Sequence, residues 1–164
     1  MRPAALLALL LVLAGCTTAA PAAPPELSAS YGTVDGEYQQ AKGQLDLPSG
    51  MAFPDHLPNT ADHYLPGSGT TQAQNFWLCA WLRDYLAAPP GDRARMDRAA
   101  GQLPRYTGMS AYTTGLRPEG RSLVDAAIAG ARRGDRTPVA TFVGNTCGGP
   151  FYSRAGTDPS PIRS

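Results

Sequence analysis

The stretch Phe76-Trp77-Leu78-Cys79-Ala80-Trp81-Leu82 decides the fold of this chain, because it forms the centre of the strongest predicted helix. That helix is predicted from about Thr70 to Ala88, where Thr70 or Thr71 can cap the start and Pro89-Pro90-Gly91 ends it. With about 100° between successive residues, its apolar side chains cover an arc of roughly 200°. An arc this wide indicates a central helix that other parts of the chain cover on several sides.

Trp77 and Trp81 lie about one turn apart on this arc. Tryptophans at helical spacing are typical of a packed core, and Cys79 between them favours that interpretation. The alternative is an aromatic surface that lines a pocket for a sugar or a lipid. The sequence leaves both open and favours the core.

Two more helices are predicted C-terminal to this one. The first spans about Asp92 to Leu103 and is capped by Asp92. The second begins near Pro118, because proline suits the first turn of a helix, and ends at Arg133. Its predicted apolar stripe consists of Leu123, Val124, Ala127, Ile128 and Ala131.

The remaining segments carry weaker signals. Pro138-Val139-Ala140-Thr141-Phe142-Val143 is predicted to be one short strand or extended segment. Residues 26–59 are rich in Gly, Pro and Asp and are predicted to be irregular, with at most a short helix around Gly36–Lys42. The predicted fold class is therefore mainly α: a small three-helix domain over residues 60–152 with one short strand and a long irregular N-terminal segment. Residues 153–164 are predicted to be a disordered tail.

The first 16 residues form a separate unit of the sequence. Arg2 precedes an unbroken apolar run from Ala4 to Leu13, which is typical of a secretory signal and shorter than the roughly 20 residues of a membrane span. The stretch Leu13-Ala14-Gly15-Cys16 resembles the lipobox of bacterial lipoproteins. This resemblance implies that residues 1–15 are a cleaved signal peptide.

The same resemblance implies that Cys16 becomes the first residue of the mature protein and carries fatty acids, such as palmitate, on its sulfur and its amino group. Residues 16–25 then form a flexible tether. The protein is held by lipid on the outer face of the cell membrane, or on the outer membrane in a Gram-negative host. The alternative is an ordinary secreted protein with a chance cysteine after the cleavage site.

Lipidation of Cys16 leaves Cys79 and Cys147 as a pair. An exported chain with an even number of cysteines is expected to form a disulfide, and the sequence has no C-x-x-C motif of the redox or zinc-binding type. Closing a loop of about 69 residues contributes about 4 kcal/mol on the chain-entropy model. The helical domain is therefore predicted to be stapled by a Cys79–Cys147 disulfide.

A second resemblance covers about 20 residues. Tyr64-Leu65-Pro66-Gly67-Ser68-Gly69-Thr70, Ala73 and the run from Phe76 to Trp81 are similar to segments in uncharacterised secreted or lipid-anchored proteins of actinobacteria. The resemblance implies export and a disulfide, and it carries no activity to this chain.

Composition narrows the function classes. Without residues 1–15, 149 of the 164 residues remain, which is enough for one domain. Loss of Arg2 reduces the 14 basic residues to 13, equal to the 13 acidic residues, so the mature net charge is about zero. Nucleic-acid binding therefore has no electrostatic support.

Two Asp-His pairs, Asp55-His56 and Asp62-His63, are the candidate metal ligands, because imidazole and carboxylate groups bind zinc and similar ions. No H-E-x-x-H spacing supports them, and two surface histidines are the favoured alternative. The sequence also lacks a G-x-S-x-G elbow, a P-loop and a dinucleotide fingerprint. No catalytic residue and no cofactor are therefore predicted.

The basic cluster Arg132-Arg133-Arg136 suggests either docking on anionic lipids or, preferably, a solvated helix end that complements the helix dipole. The favoured function is an exported envelope lipoprotein that serves as a binding or structural module towards another envelope component. Its expected partners are the membrane, through the lipid, and an envelope protein. The alternative is an envelope enzyme, or a metal- or glycan-binding protein, that uses the histidine loop.

Overall fold

The computed structural model describes residues 28–152, which form a helical domain. The six α-helices of this part of the chain are α1 (Tyr31–Lys42), α2 (Ser68–Ala87), α3 (Arg93–Gln102), α4 (Ser110–Thr113), α5 (Pro118–Arg133) and α6 (Thr137–Thr146). A 3₁₀ helix, Leu103–Gly108, joins α3 to α4. Extended pairing within residues 28–152 is limited to one antiparallel bridge between Ala29 and Tyr64. The predicted mainly helical class is therefore confirmed.

Several predictions concern residues outside this range. The signal peptide (1–15), lipidated Cys16, the tether (16–25) and the tail (153–164) all lie outside the described residues. Among the helices that are described, none combines the length and the apolar character needed to cross a bilayer.

Helix α2 is the centre of the domain and contacts α1, α3, α4 and α6. It begins two residues before the predicted start. Trp77 is fully buried and Trp81 is 6% exposed, so the core interpretation of this pair is confirmed. Both indole N–H groups donate to the carbonyl oxygen of Asp46, over 2.9 and 3.1 Å. The tryptophans thereby hold the segment that follows α1 against the core.

Helix α1 lies in the segment 26–59 that was expected to be irregular. The Ser30 hydroxyl accepts a hydrogen bond from the Thr33 backbone N–H and caps the helix. Val34 and Tyr38, four residues apart, are fully buried on the face that packs against α2. The predicted short helix around Gly36–Lys42 therefore exists but begins earlier, and the packed domain extends N-terminal to residue 60.

Helices α1 and α2 are in close contact at Gly69 of α2. A Cβ atom at this position would lie 1.9 Å from the backbone oxygen of Val34, so only glycine permits this approach. The Glu37 carboxylate, on α1, accepts the N–H groups of Gly67 and Gly69 over 2.9 and 3.1 Å. Since the first N–H groups of a helix lack partners within it, α1 supplies the cap for α2.

Helices α3 and α5 agree with prediction. The Asp92 side chain caps α3 by accepting the Arg95 N–H, and α5 spans the predicted residues. The predicted short strand over 138–143 is wrong, because these residues form α6. Pro138 suits the first turn of a helix, and Val139 and Phe142, three residues apart, both reach the core. Packing against the rest of the domain thus outweighs the weak extended preference of the segment.

The disulfide between Cys79 and Cys147 is confirmed, with an S–S distance of 2.07 Å and a Cα–Cα distance of 5.7 Å. Cys147 is the residue that ends α6, and Cys79 lies in the middle of α2. The bond therefore ties the last helix of the described chain to the central one.

Candidate functional site

The first histidine of the predicted loop contacts α1. His56 Nδ1 lies 2.7 Å from Asp35 Oδ2, and the Leu57 N–H donates to Asp35 Oδ1 over 2.9 Å. Burial of the Asp35 carboxyl raises its pKa, but the hydrogen bonds from His56 and Leu57 outweigh burial and leave the pKa below its usual value. The His56 side chain itself is 68% exposed. This pair joins the loop to α1.

The second histidine has a different partner. His63 Nδ1 lies 3.1 Å from the Ser28 hydroxyl, and the Asp55 backbone oxygen accepts the Lys42 ammonium over 2.8 Å. Within residues 28–152, no three His, Cys, Asp or Glu side chains are placed to hold one metal ion. The structure therefore does not assemble Asp55, His56, Asp62 and His63 into a ligand set.

The three arginines of the predicted basic cluster, Arg132, Arg133 and Arg136, also have different surroundings. The Arg136 guanidinium donates to the backbone oxygens of Leu86 and Ala88 at the end of α2, so it holds the α5–α6 turn against the core. Arg132 and Arg133 are exposed at the C-terminal end of α5. Of the three arginines, these two have side chains on the surface.

A long furrow, here called the α5–α6 furrow, runs between the outer faces of the last two helices. Its volume is about 500 Å³, within the range of about 300–1,000 Å³ that ligand sites occupy. Its lining residues are Leu123, Ala126, Arg133, Asp135, Thr137, Pro138, Thr141, Phe142, Asn145 and Thr146. The furrow therefore reaches from the turn between the helices to the N-terminal half of α5.

A smaller and more enclosed hollow, here called the inner cavity, adjoins the furrow at its Leu123 end. It measures about 140 Å³ and shares Leu123, Phe142 and Thr146 with the furrow. Its other apolar walls come from Leu78, Cys79, Leu116 and Val124. The two hollows are thus adjacent, and the inner cavity reaches the disulfide at Cys79.

The polar atoms at the far wall of the inner cavity already have partners. The Tyr106 hydroxyl donates to Asn75 Oδ1 over 2.6 Å, and the Tyr152 hydroxyl donates to Gln72. Burial raises the pKa of Tyr106 and of Tyr152, so both phenols are neutral near pH 7. The wall of the cavity is consequently mainly apolar, with Thr146 as a polar residue where it meets the furrow.

Leu123 is the rim residue that sequence reasoning placed incorrectly. It was expected in the apolar stripe of α5, but it is 61% exposed, and it and Leu65 are the exposed large apolar residues of the described chain. The buried face of the helix consists of Val124, Ala127, Ile128 and Ala131. Leu123 lies about 100° around the helix from Val124, at the edge of the stripe, and no other element covers it. Its position at the margin of a wide stripe was the available signal.

Arg133 marks the other end of the furrow. Its side chain is exposed and has no hydrogen bond or ion pair with any residue in the range 28–152. The nearby Asp135 carboxylate accepts the Thr137 N–H over 2.9 Å at the start of α6. One end of the furrow therefore carries one positive and one negative side chain, and the other end carries the exposed Leu123.

A second cleft, of about 460 Å³, lies between α1, α2 and the start of α4. Its polar groups serve the fold: Glu37 caps α2, and Gln74 accepts the Ala111 N–H over 2.7 Å. None of its lining residues is aromatic, so it lacks the flat face on which sugar rings pack. The furrow is the better candidate for ligand binding.

The candidate functional site is therefore the α5–α6 furrow together with the inner cavity. No protein family, no curated protein and no solved structure matches this chain.

Proposed function

We propose that this protein is an exported, lipid-anchored module of the cell envelope that binds another envelope component in the α5–α6 furrow. The lipobox-like stretch Leu13-Ala14-Gly15-Cys16 supports the proposed export and lipid anchoring. The observation that carries the binding function is the exposure of Leu123 at the mouth of an apolar cavity.

An occupant of the furrow gains free energy from the surface that it covers. Burying a leucine side chain completely is worth about 1.5–3 kcal/mol, and most of the Leu123 surface is in contact with water. The adjoining cavity adds apolar walls that a ligand can contact without rearranging the helices. A concave apolar site with a small number of polar groups is the usual form of a small-molecule site.

Export and lipid anchoring are tested by intact-mass spectrometry of the protein purified from its native membrane, with and without reductant. We expect the mass of residues 16–164 plus acyl chains, and an increase of two protons on reduction of the disulfide. The Cys16→Ser variant is the control and should carry no acyl mass. A native chain without acyl groups would refute the lipid anchor.

The binding function is tested by placing a photo-crosslinking amino acid at position 123 in intact cells. Position 140 is the matched control, because Ala140 is exposed on α6 and does not line the furrow. We expect an adduct at position 123 that is absent at position 140, and mass spectrometry identifies it as protein or lipid. Equal labelling at both positions, or none, would count against a binding furrow.

A further inference from the structure

We propose that the ligand of the α5–α6 furrow is a single-chain amphiphile with a carboxylate head, of the fatty-acid class. The head pairs with Arg133, and the alkyl chain follows the furrow past Leu123 into the inner cavity. This inference rests on the proposed binding function of the furrow and names the chemistry of its ligand.

The shape of the site matches a linear ligand. Arg133 and Leu123 both line the furrow and are ten residues apart on α5, a distance of about 15 Å along a helix axis. The furrow is open along this length, whereas the inner cavity beyond Leu123 is closed on more sides.

Arg133 is the side chain in the furrow that can pair with an anionic head. A guanidinium binds a carboxylate through two parallel hydrogen bonds, and Arg133 has no described partner that would compete. Arg132, the neighbouring exposed arginine, does not line the furrow. Asp135 also lines this end of the furrow, and its hydrogen bond from the Thr137 N–H leaves its negative charge in place, so it opposes an anionic head.

The inner cavity suits the end of an alkyl chain. Its volume of about 140 Å³ is close to that of apolar cavities that accept small hydrocarbons such as benzene. Leu78, Val124 and Phe142 contribute apolar walls, while the Tyr106 hydroxyl at the far side is bonded to Asn75. A methyl terminus can therefore contact these walls without breaking the hydrogen bond of Tyr106.

The test is isothermal titration calorimetry of sodium dodecanoate, below its micelle concentration, into the full chain carrying Cys16→Ser and purified without detergent. We expect saturable one-to-one binding. Arg133→Gln should weaken it about tenfold, whereas the matched variant Arg132→Gln should change it less than twofold, because Arg132 does not line the furrow. Asp135→Asn should strengthen it. Equal effects of the two arginine variants would overturn the assignment of the head group.

The chain path is tested at Thr146, which lies at the junction of furrow and cavity. Thr146→Trp should weaken dodecanoate binding more than tenfold, while Ala140→Trp on the same helix should leave it unchanged. Circular dichroism checks that both variants fold. Dodecanol, which has no charge, should bind the native sequence and Arg133→Gln equally. Binding that is indifferent to Thr146→Trp would refute the path.

The same measurements separate this inference from the function beneath it. A protein adduct at position 123, with no dodecanoate binding, would leave the binding module standing and overturn the amphiphile. Absence of both would overturn both. Binding to anionic vesicles without uptake of free dodecanoate would also overturn it, because the surface would then be a membrane contact.

Discussion

Replacing Gly69 with alanine tests the close contact between α1 and α2. The new Cβ would lie 1.9 Å from the Val34 oxygen and 2.9 Å from the Tyr38 nitrogen, both of which are backbone atoms of α1. Because backbone atoms cannot rotate away, α1 must retreat by about 1.5 Å to restore ordinary contact near 3.4 Å. Gly36 is the matched control, since a Cβ there meets nothing within 4 Å.

The expected magnitude follows from two contributions. Overpacking of this kind costs about 1–3 kcal/mol. A retreat of α1 also stretches the two hydrogen bonds from Gly67 and Gly69 to Glu37, each a charge-assisted bond worth about 1.5–3 kcal/mol when intact. We therefore expect Gly69→Ala to lower the free energy of unfolding by about 3 kcal/mol. Gly36→Ala, in an exposed helix position, should raise it by about 0.5–1 kcal/mol.

Urea unfolding of the full chain, followed by circular dichroism, measures both effects. With a denaturant slope of about 1.5 kcal/mol/M, Gly69→Ala moves the midpoint down by about 2 M. The same chemical change thus has opposite signs at Gly69 and Gly36. A Gly69→Ala midpoint equal to or above that of the native sequence would refute the close crossing of α1 and α2.

Three further predictions concern stability and burial. Reduction of the Cys79–Cys147 bond should lower the free energy of unfolding by about 4 kcal/mol, and a loss below about 1 kcal/mol would contradict its role as a staple. The pKa of Asp35 is lower in the folded chain than in the unfolded chain, where it is near 4, so the Asp35 carboxylate stabilises the fold at pH values above about 4. This stabilisation is lost as the pH falls through the folded pKa, so the free energy of unfolding of Asp35→Asn should depend less on pH in acid. Iodide should quench Trp77 and Trp81 far less in the folded chain than in urea, and equal quenching would contradict their burial.

The sequence predicted the helices that carry strong local signals. The α2 boundary at Pro89 and the α5 start at Pro118 follow from proline stereochemistry, which acts within one turn. The strand predicted over 138–143 failed because a short run of β-branched residues has only a weak preference of its own. Helix α1 was underestimated, since its glycine-rich sequence conceals the spacing of Val34 and Tyr38.

The candidate site was harder to predict, because it forms where one edge of the apolar stripe of α5 has no neighbouring helix to cover it. The stripe of α5 is visible in the sequence, but which edge of it lacks a neighbour is decided by where α6 packs. Leu123 was consequently included in the apolar stripe, although it is exposed. The two histidines of the loop are close in sequence, but His63 contacts Ser28 and His56 contacts Asp35, and sequence spacing alone does not reveal such partners.

How firmly the furrow is held depends on whether the Cys79–Cys147 disulfide has formed. Cys147 ends α6 and Cys79 lines the inner cavity, so the disulfide fixes one wall of the proposed site to α2. While both thiols are reduced, as in a newly made chain, α6 is held chiefly by its contacts through Val139 and Phe142. Oxidation then completes the site. In a chain that has not been oxidised, the wall of the furrow that α6 supplies has no covalent tie to α2 and is therefore held less firmly.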